Sequence, residues 1–372
     1  LLSDSDLTKL DKALCTSIFY GVLERKITIE YVLSQFVKTH INKIKPFTLT
    51  VLRSAIYQIM YMDKIPNSAA VNESVNLIKR SKESFNSGFV NGVLRNILRS
   101  EISIPNGNDI NSISIMYSCS PKIVSLLIRD YGTETTKSFL ESSLVAPPTY
   151  IRVNKNKTDK KQLLDKLNIT DELPNDENSI KLDNIGNLEN QQEFKDGLFY
   201  VQDLSCQRAI DKLDINSNSR VLDICAAPGG KTFTAAQYAY DGEIVSCDLY
   251  PHRVNLIRNG ANQLGLNNIK TYVNDATVYN DNFGTFDRII CDVPCSGIGV
   301  IRRKPEIKYK NIDDLNELIE IQKKILLTST KYLASGGKLL YSTCTLNLNE
   351  NREVVDYILG FNKDFKLIYE HT

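Results

Sequence analysis

Two cysteines stand in short polar turns that follow strand-like runs: Pro294-Cys295-Ser296 after "DRIICD" and Thr343-Cys344-Thr345 after "GKLLYS". The carboxyl of Asp292 lies three residues ahead of the first thiol. A thiol in such surroundings is accessible, its pKa is open to lowering, and the thiolate is a nucleophile suited to covalent catalysis. Methylation at C5 of cytosine is one reaction that asks for this set. The ring is too electron-poor to attack a methyl donor unaided; a thiolate added at C6 makes C5 enamine-like. An acid near N3 then favours the adduct, and a base must later take the C5 proton. The plainer alternative is that the thiols are small core hydrophobes, the usual fate of cysteine and the one expected for Cys225, Cys247 and Cys291 inside strand-like runs. Position alone leaves both readings open for Cys295 and Cys344.

A second candidate is the loop "DICAAPGGKTF", residues 223–233. Gly230-Lys231-Thr232 supplies the end of a Walker phosphate loop, but Cys225 occupies the place of its first glycine. The turn Ala226-Ala227-Pro228-Gly229-Gly230 joins a strand to a helix, which lets backbone approach a cofactor. Asp248, eighteen residues beyond Gly230 at the end of the next strand, is placed to accept from ribose hydroxyls, and Asp275, after the third strand, to reach an adenine amino group. Ribose and adenine contacts with a minimal phosphate cradle fit S-adenosylmethionine better than ATP or NAD. A turn that merely packs a helix onto a sheet remains the alternative.

The elements that must hold these residues follow from periodicity. From residue 6 to about residue 100 apolar residues recur at helical spacing, as in Leu7, Leu10, Leu14 and Ile18, with no convincing strand, which predicts an all-helical bundle over 1–105. Residues 106–200 read as a small α/β connector, with "TYIRVN" strand-like and "KKQLLDKLNI" helix-like. From 201 to 372, "RVLDIC", "EIVSCD", "IKTYV", "DRIICD" and "GKLLYS" alternate with helical segments, which predicts a doubly wound, Rossmann-like parallel sheet with its ligands at the carboxyl ends of the strands. The fold class is therefore multidomain: helical, then α/β connector, then α/β sheet.

Net charge is +1, so any nucleic-acid surface must be local. The run "IRRKPEIKYK" supplies such a surface with Arg302, Arg303, Lys304, Lys308 and Lys310; Lys79, Arg80, Lys82, Arg95 and Arg99 are secondary candidates on the helical part. Solvated loop and helix charge is the alternative for each. The eight cysteines show no C-x-x-C pair, and none of the three histidines lies in a catalytic motif, so neither a zinc site nor a histidine triad is expected. Without an apolar run of about 18 residues, a cytosolic chain with no membrane partner is expected.

The stretches "VLDICAAPGGKT", "DVPCSGIGVIRRKPEIKYK" and "YSTCTLNLNEN" resemble the first, fourth and sixth motifs of RNA cytosine-C5 methyltransferases. "FYGVLERKITIEYVL", "LTVLRSAIYQIMYMDKIPNSAAVNESVNLIKR" and "GFVNGVLRNILR" resemble the RNA-binding fold of antitermination factor NusB. That fusion is the hallmark of the 16S ribosomal RNA cytosine-C5 methyltransferase B family. The resemblance implies Cys344 as nucleophile, Cys295 as the thiol assisting product release and Asp292 as the acid at cytosine N3. It also implies S-adenosylmethionine held by Cys225, Ala226, Ala227, Pro228, Gly229, Gly230 and Lys231 with Asp248, Arg253, Asp275 and Asp292, although Lys231 could instead face the target base. In DNA cytosine methylases a Pro-Cys cysteine is the nucleophile, so Pro294-Cys295 taken alone points the other way. The implied partner is 16S ribosomal RNA, naked or in a partly assembled small subunit, bound by a monomer. A transfer-RNA methylase and a non-catalytic assembly factor are the rivals. Measured against that family both ends read as trimmed, which predicts an exposed sheet edge.

Overall fold

The computed structural model describes residues 5–170, 173, 176–182 and 188–371. Its contacts group into two units, one holding the chain up to Ala146 together with Ile298–Asp313, the other holding Pro147–Gly297 and the chain from Asp314.

The first unit is all-helical among the described residues. Its main helices are Lys9–Glu24, Lys26–Phe36, Pro46–Tyr61, Asn67–Lys79 and Ser87–Arg99, followed by Ile110–Tyr117, Pro121–Tyr131 and Thr133–Ser142. Local chemistry sets the starts: Thr8, Asp109 and Ser120 cap with their side chains, and Pro46 and Pro121 occupy first-turn positions where no N–H is needed. Ile29, Val32, Leu33, Leu52, Ile56, Ile78, Leu94 and Ile97 close the core. The three helices from 110 to 142, which the sequence reading assigned to the connector, are grouped with this unit.

In the second unit a small antiparallel sheet runs β2-β1-β3, with β1 at Thr149–Val153, β2 at Ser179–Leu182 and β3 at Phe199–Val201. The main sheet is wholly parallel in the order β6-β5-β4-β7-β8: β4 is Arg220–Asp223, β5 Glu243–Asp248, β6 Ile269–Val273, β7 Phe286–Asp292 and β8 Leu333–Ser342. Alternation along each strand fills both faces. Val221, Ile244 and Ile290 join one apolar cluster with Ala235, Ala236, Ile257 and Ala261 from helices Gly230–Tyr238 and Pro251–Leu264. Their neighbours Leu222, Val245 and Ile289 join the other with Ile325, Val354 and Ile358 from helices Asn316–Thr330 and Arg352–Phe361. This is the doubly wound sheet expected from the sequence. Strand order reverses between β4 and β7, the place where such sheets open a crevice at their carboxyl ends.

Candidate active site

Every residue of the candidate site in this unit follows from a strand end. After β4 the chain turns through residues 224–229 and enters the helix at Gly230. The turn is pinned to the sheet by Ala226 N–H donating to the Cys247 carbonyl at 2.8 Å and closed by Gly229 N–H donating to Ala226 at 2.8 Å. Gly229 has φ +115°, and a Cβ there would lie 2.4 Å from Cζ of Phe233, so only glycine fits. Asp248, ending β5 and almost buried, braces the turn: it accepts from Ala227 N–H at 3.2 Å and Tyr250 N–H at 3.4 Å. Arg253 completes the brace, 3.4 Å from Asp248 and donating to the Ala227 carbonyl at 3.0 Å. Asp275 lies exposed just past β6, accepting from Thr277 N–H at 2.9 Å and its hydroxyl at 2.7 Å.

Lys231 explains the near-miss with the phosphate loop. Its ammonium donates to Asp292 Oδ2 at 2.6 Å, so the lysine that would hold phosphate in an ATP site is spent on a carboxylate. Burial works most strongly against the Lys231 charge, but the charge and hydrogen bond of Asp292 together with Cys206 and Asp223 outweigh it and the pKa is raised. Asp292 Oδ1 accepts from the Ser342 hydroxyl at 2.6 Å, across the Asp292–Ser342 register of β7 and β8. A side-chain-free turn at 229–230, an acid with loosely held oxygens and an exposed acid one strand further suit a nucleoside cofactor bearing ribose hydroxyls and a purine amino group.

The register also sets the thiols. Cys295 follows β7 by three residues and Cys344 follows β8 by two, and their sulfurs lie 3.0 Å apart, with Cys344 N–H donating to Cys295 Sγ at 3.2 Å. Cys344 is exposed and Cys295 partly so. The Cys344 sulfur beside it, and then burial, push the Cys295 pKa well above the ordinary thiol range. Cys247 and Cys291 are sealed in the sheet, where burial raises each to about 12, and burial likewise raises Cys225. The core expectation is met for Cys247 and Cys291, while Cys225 is only partly buried, at the start of the turn after β4.

The basic run divides. Arg303, Lys304 and Lys310 are exposed, as are Lys79, Arg80, Lys82, Arg95 and Arg99. Arg302 is turned to its own unit, donating to the carbonyls of Val145 and Ala146 at 2.8 Å each. Lys308 is a correction: it is fully buried in the helical unit with Nζ 3.5 Å from the Tyr117 carbonyl, and burial lowers its pKa to about 8. Beside it, Tyr309 donates to the Leu23 carbonyl at 2.7 Å and accepts from Lys26 N–H at 3.2 Å. Ile301, Pro305 and Lys308 are the buried members of the run; their helical-turn spacing was the available signal of an inward face. The sequence reading also missed Gln322, Glu350 and Asn351, which bond to the two cysteine loops.

Among the described residues no helix is long and apolar enough to cross a membrane, and no group of three or more His, Cys, Asp or Glu is arranged to hold a metal. Residues 210–372 match the family described as 16S rRNA methyltransferase RsmB/F, and residues 1–99 match the NusB family. The chain is 35% identical to a Bacillus subtilis (strain 168) protein named "Probable ribosomal RNA small subunit methyltransferase B", over 98% of this chain and 84% of that one. It is 30% identical to the ribosomal RNA small subunit methyltransferase B of Proteus mirabilis (strain HI4320), over 98% and 87%. In fold it is similar to the crystal structure of PH0851, at TM-score 0.83 and 22% identity over 99% of this chain and 85% of that one. The chain belongs to the ribosomal RNA small subunit methyltransferase B family and is an S-adenosylmethionine-dependent RNA methyltransferase.

Proposed function

We propose that this chain methylates C5 of a cytosine in 16S ribosomal RNA through a covalent adduct at C6. The observation that carries the reading is the pair of sulfurs 3.0 Å apart past the ends of β7 and β8, with Asp292 at the end of β7. When bound, S-adenosylmethionine supplies an electrophilic methyl group; the turn 225–231, Asp248, Arg253 and Asp275 are the residues to hold it. Cys344 Sγ, the more exposed thiol, adds as thiolate to C6, and the electron pair of the C5–C6 double bond becomes available at C5. A proton shared between N3 and Asp292 offsets the charge placed on the ring. After C5 has taken the methyl group a base accepts the C5 proton, the C5–H electron pair re-forms the double bond and Cys344 leaves C6 as thiolate. Cys295, held as a protonated thiol beside Cys344, does not compete as nucleophile and is placed to return a proton to the departing sulfur.

The target cytosine must be unpaired or turned out of its stack for both faces of the C5–C6 bond to be reached. Arg303, Lys304 and Lys310, with the exposed basic residues of the NusB-like part, supply phosphate contacts. We take the acting species to be a monomer in the cytoplasm, working on naked RNA or a partly assembled small subunit.

The test is methyl transfer from labelled S-adenosylmethionine to unmodified 16S and transfer RNA. The expected result is label in 16S RNA, recovered as 5-methylcytosine, falling about a thousandfold or more with Cys344→Ala. Label in transfer RNA alone, or at another atom, would replace the substrate or the chemistry proposed.

A further inference from the structure

Two adjacent residues fasten the two cysteine loops, each at both sides of its thiol. Glu350 is fully buried, and its carboxylate is met by four uncharged donors. Oε2 accepts from Ser296 N–H at 2.8 Å and Gln322 Nε2 at 3.0 Å; Oε1 accepts from the Ser296 hydroxyl at 2.5 Å and Asn347 Nδ2 at 3.1 Å. Gln322 also donates to the Pro294 carbonyl at 2.9 Å. Both neighbours of Cys295 are thus tied to Glu350, Ser296 directly and Pro294 through Gln322. Asn351 does the same for Cys344: its Nδ2 donates to the Thr345 carbonyl at 2.9 Å, and its Oδ1 accepts from the Thr343 hydroxyl. The two loops are joined to each other by the Ser296 and Thr345 hydroxyls, 2.7 Å apart.

A carboxylate is expensive to bury, and an apolar side chain would fill the same space at less cost if packing were all that mattered. What the carboxylate adds is direction, because each of its oxygens must meet donors at fixed angles, and the donors belong to the elements that carry the thiols. We propose that Glu350 and Asn351 are positioning residues that set the separation and orientation of Cys295 and Cys344. This rests on the covalent reading of the site. Cys344 must reach C6 while Cys295 stays within reach of the Cys344 sulfur, so a displacement of about 1 Å is worth about a hundredfold in rate.

The test uses isosteric swaps in the full chain, Glu350→Gln and Asn351→Asp, which keep side-chain volume but set donor against donor or acceptor against acceptor. One measurement needs no RNA and no catalysis: the rate at which diamide joins Cys295 to Cys344, read by mass spectrometry of the linked peptides. The two thiols give up two protons and two electrons to the diazene, which becomes the hydrazine. The second is the split between kcat, KM for RNA and Kd for S-adenosylmethionine. Each swap is expected to slow crosslinking about tenfold and lower kcat about a hundredfold, with KM and Kd within about twofold. Should Glu350→Gln fail to fold by circular dichroism, Asn351→Asp, at a half-exposed position, carries the same test. Parental crosslinking and parental kcat in the folded variants would overturn the proposal. Parental activity in Cys344→Ala would instead defeat the covalent reading, with the crosslinking rates still deciding whether the two residues position the thiols.

Discussion

Asp248 and Glu350 are both carboxylates taken almost wholly out of water at the carboxyl edge of one sheet, and they are held in opposite ways. Asp248 has long contacts, 3.2 and 3.4 Å to backbone N–H groups and 3.4 Å to Arg253, whose own side chain is 43% exposed. Glu350 has four contacts between 2.5 and 3.1 Å, all from donors on the cysteine loops and the helix beside them. Hydrogen bonds weaken as they lengthen, so Asp248 retains acceptor capacity that a ligand's hydroxyls can take up, whereas Glu350 has none left. The difference fits the roles proposed for the two: Asp248 holds its turn through contacts open to exchange with a ligand, and Glu350 holds the cysteine loops through contacts that leave no room for one.

Removing the brace should have the largest effect. Glu350→Ala removes the shared acceptor of four hydrogen bonds in a fully buried place and is expected to cost about 2–4 kcal/mol in urea unfolding. Methyl transfer should fall by about two to three orders of magnitude. A loss of stability with parental kcat would reduce Glu350 to a fold residue.

Asp223, ending β4, sharpens the contrast because it is neither braced nor exchangeable. Oδ2 accepts from Thr232 at 2.6 Å while Oδ1 has no partner, and burial pushes its pKa up to about 7. A carboxyl whose folded pKa is raised contributes stability that is complete below the unfolded value near 4 and is lost as pH rises through about 7. Between pH 4 and 7 the parent should therefore lose roughly 3–4 kcal/mol relative to Asp223→Asn, measured by denaturant titration at each pH. Parallel pH profiles would contradict this.

Asp248→Asn should weaken S-adenosylmethionine binding about tenfold by calorimetry and move the unfolding free energy by less than about 1 kcal/mol. Equal losses in both would erase the distinction from Glu350. The smallest effects belong to the basic run. Arg303→Ala and Lys304→Ala should each weaken RNA binding about two- to threefold at low salt and flatten its salt dependence, and Lys308→Met should do neither.

The main strands were legible because β4, β5, β7 and β8 couple apolar residues on two faces to an acid or a polar turn at their ends, a pattern that a buried parallel sheet imposes, and the edge strand β6 keeps a short apolar run before Asp275. β2 and β3 were not, being four and three residues long with little room for a period to show. Asp292, Cys295 and Cys344 could be picked out as candidates because an acid ending a strand and thiols in turn-forming surroundings stand apart. Glu350 could not: in "NLNEN" it reads as one more exposed polar residue, and only the approach of Ser296 and Gln322 from distant parts of the chain makes it a buried acceptor. Lys308 misled for the same reason, since charge in a sequence says nothing about which side of a turn faces inward.

The most direct test of the covalent account is RNA carrying 5-fluorocytosine at the methylated position, where fluorine replaces the C5 proton and blocks release. A stable protein–RNA adduct through Cys344 is expected in the parent and in Cys295→Ala, and none in Cys344→Ala. An adduct that maps to Cys295 and persists in Cys344→Ala would contradict it.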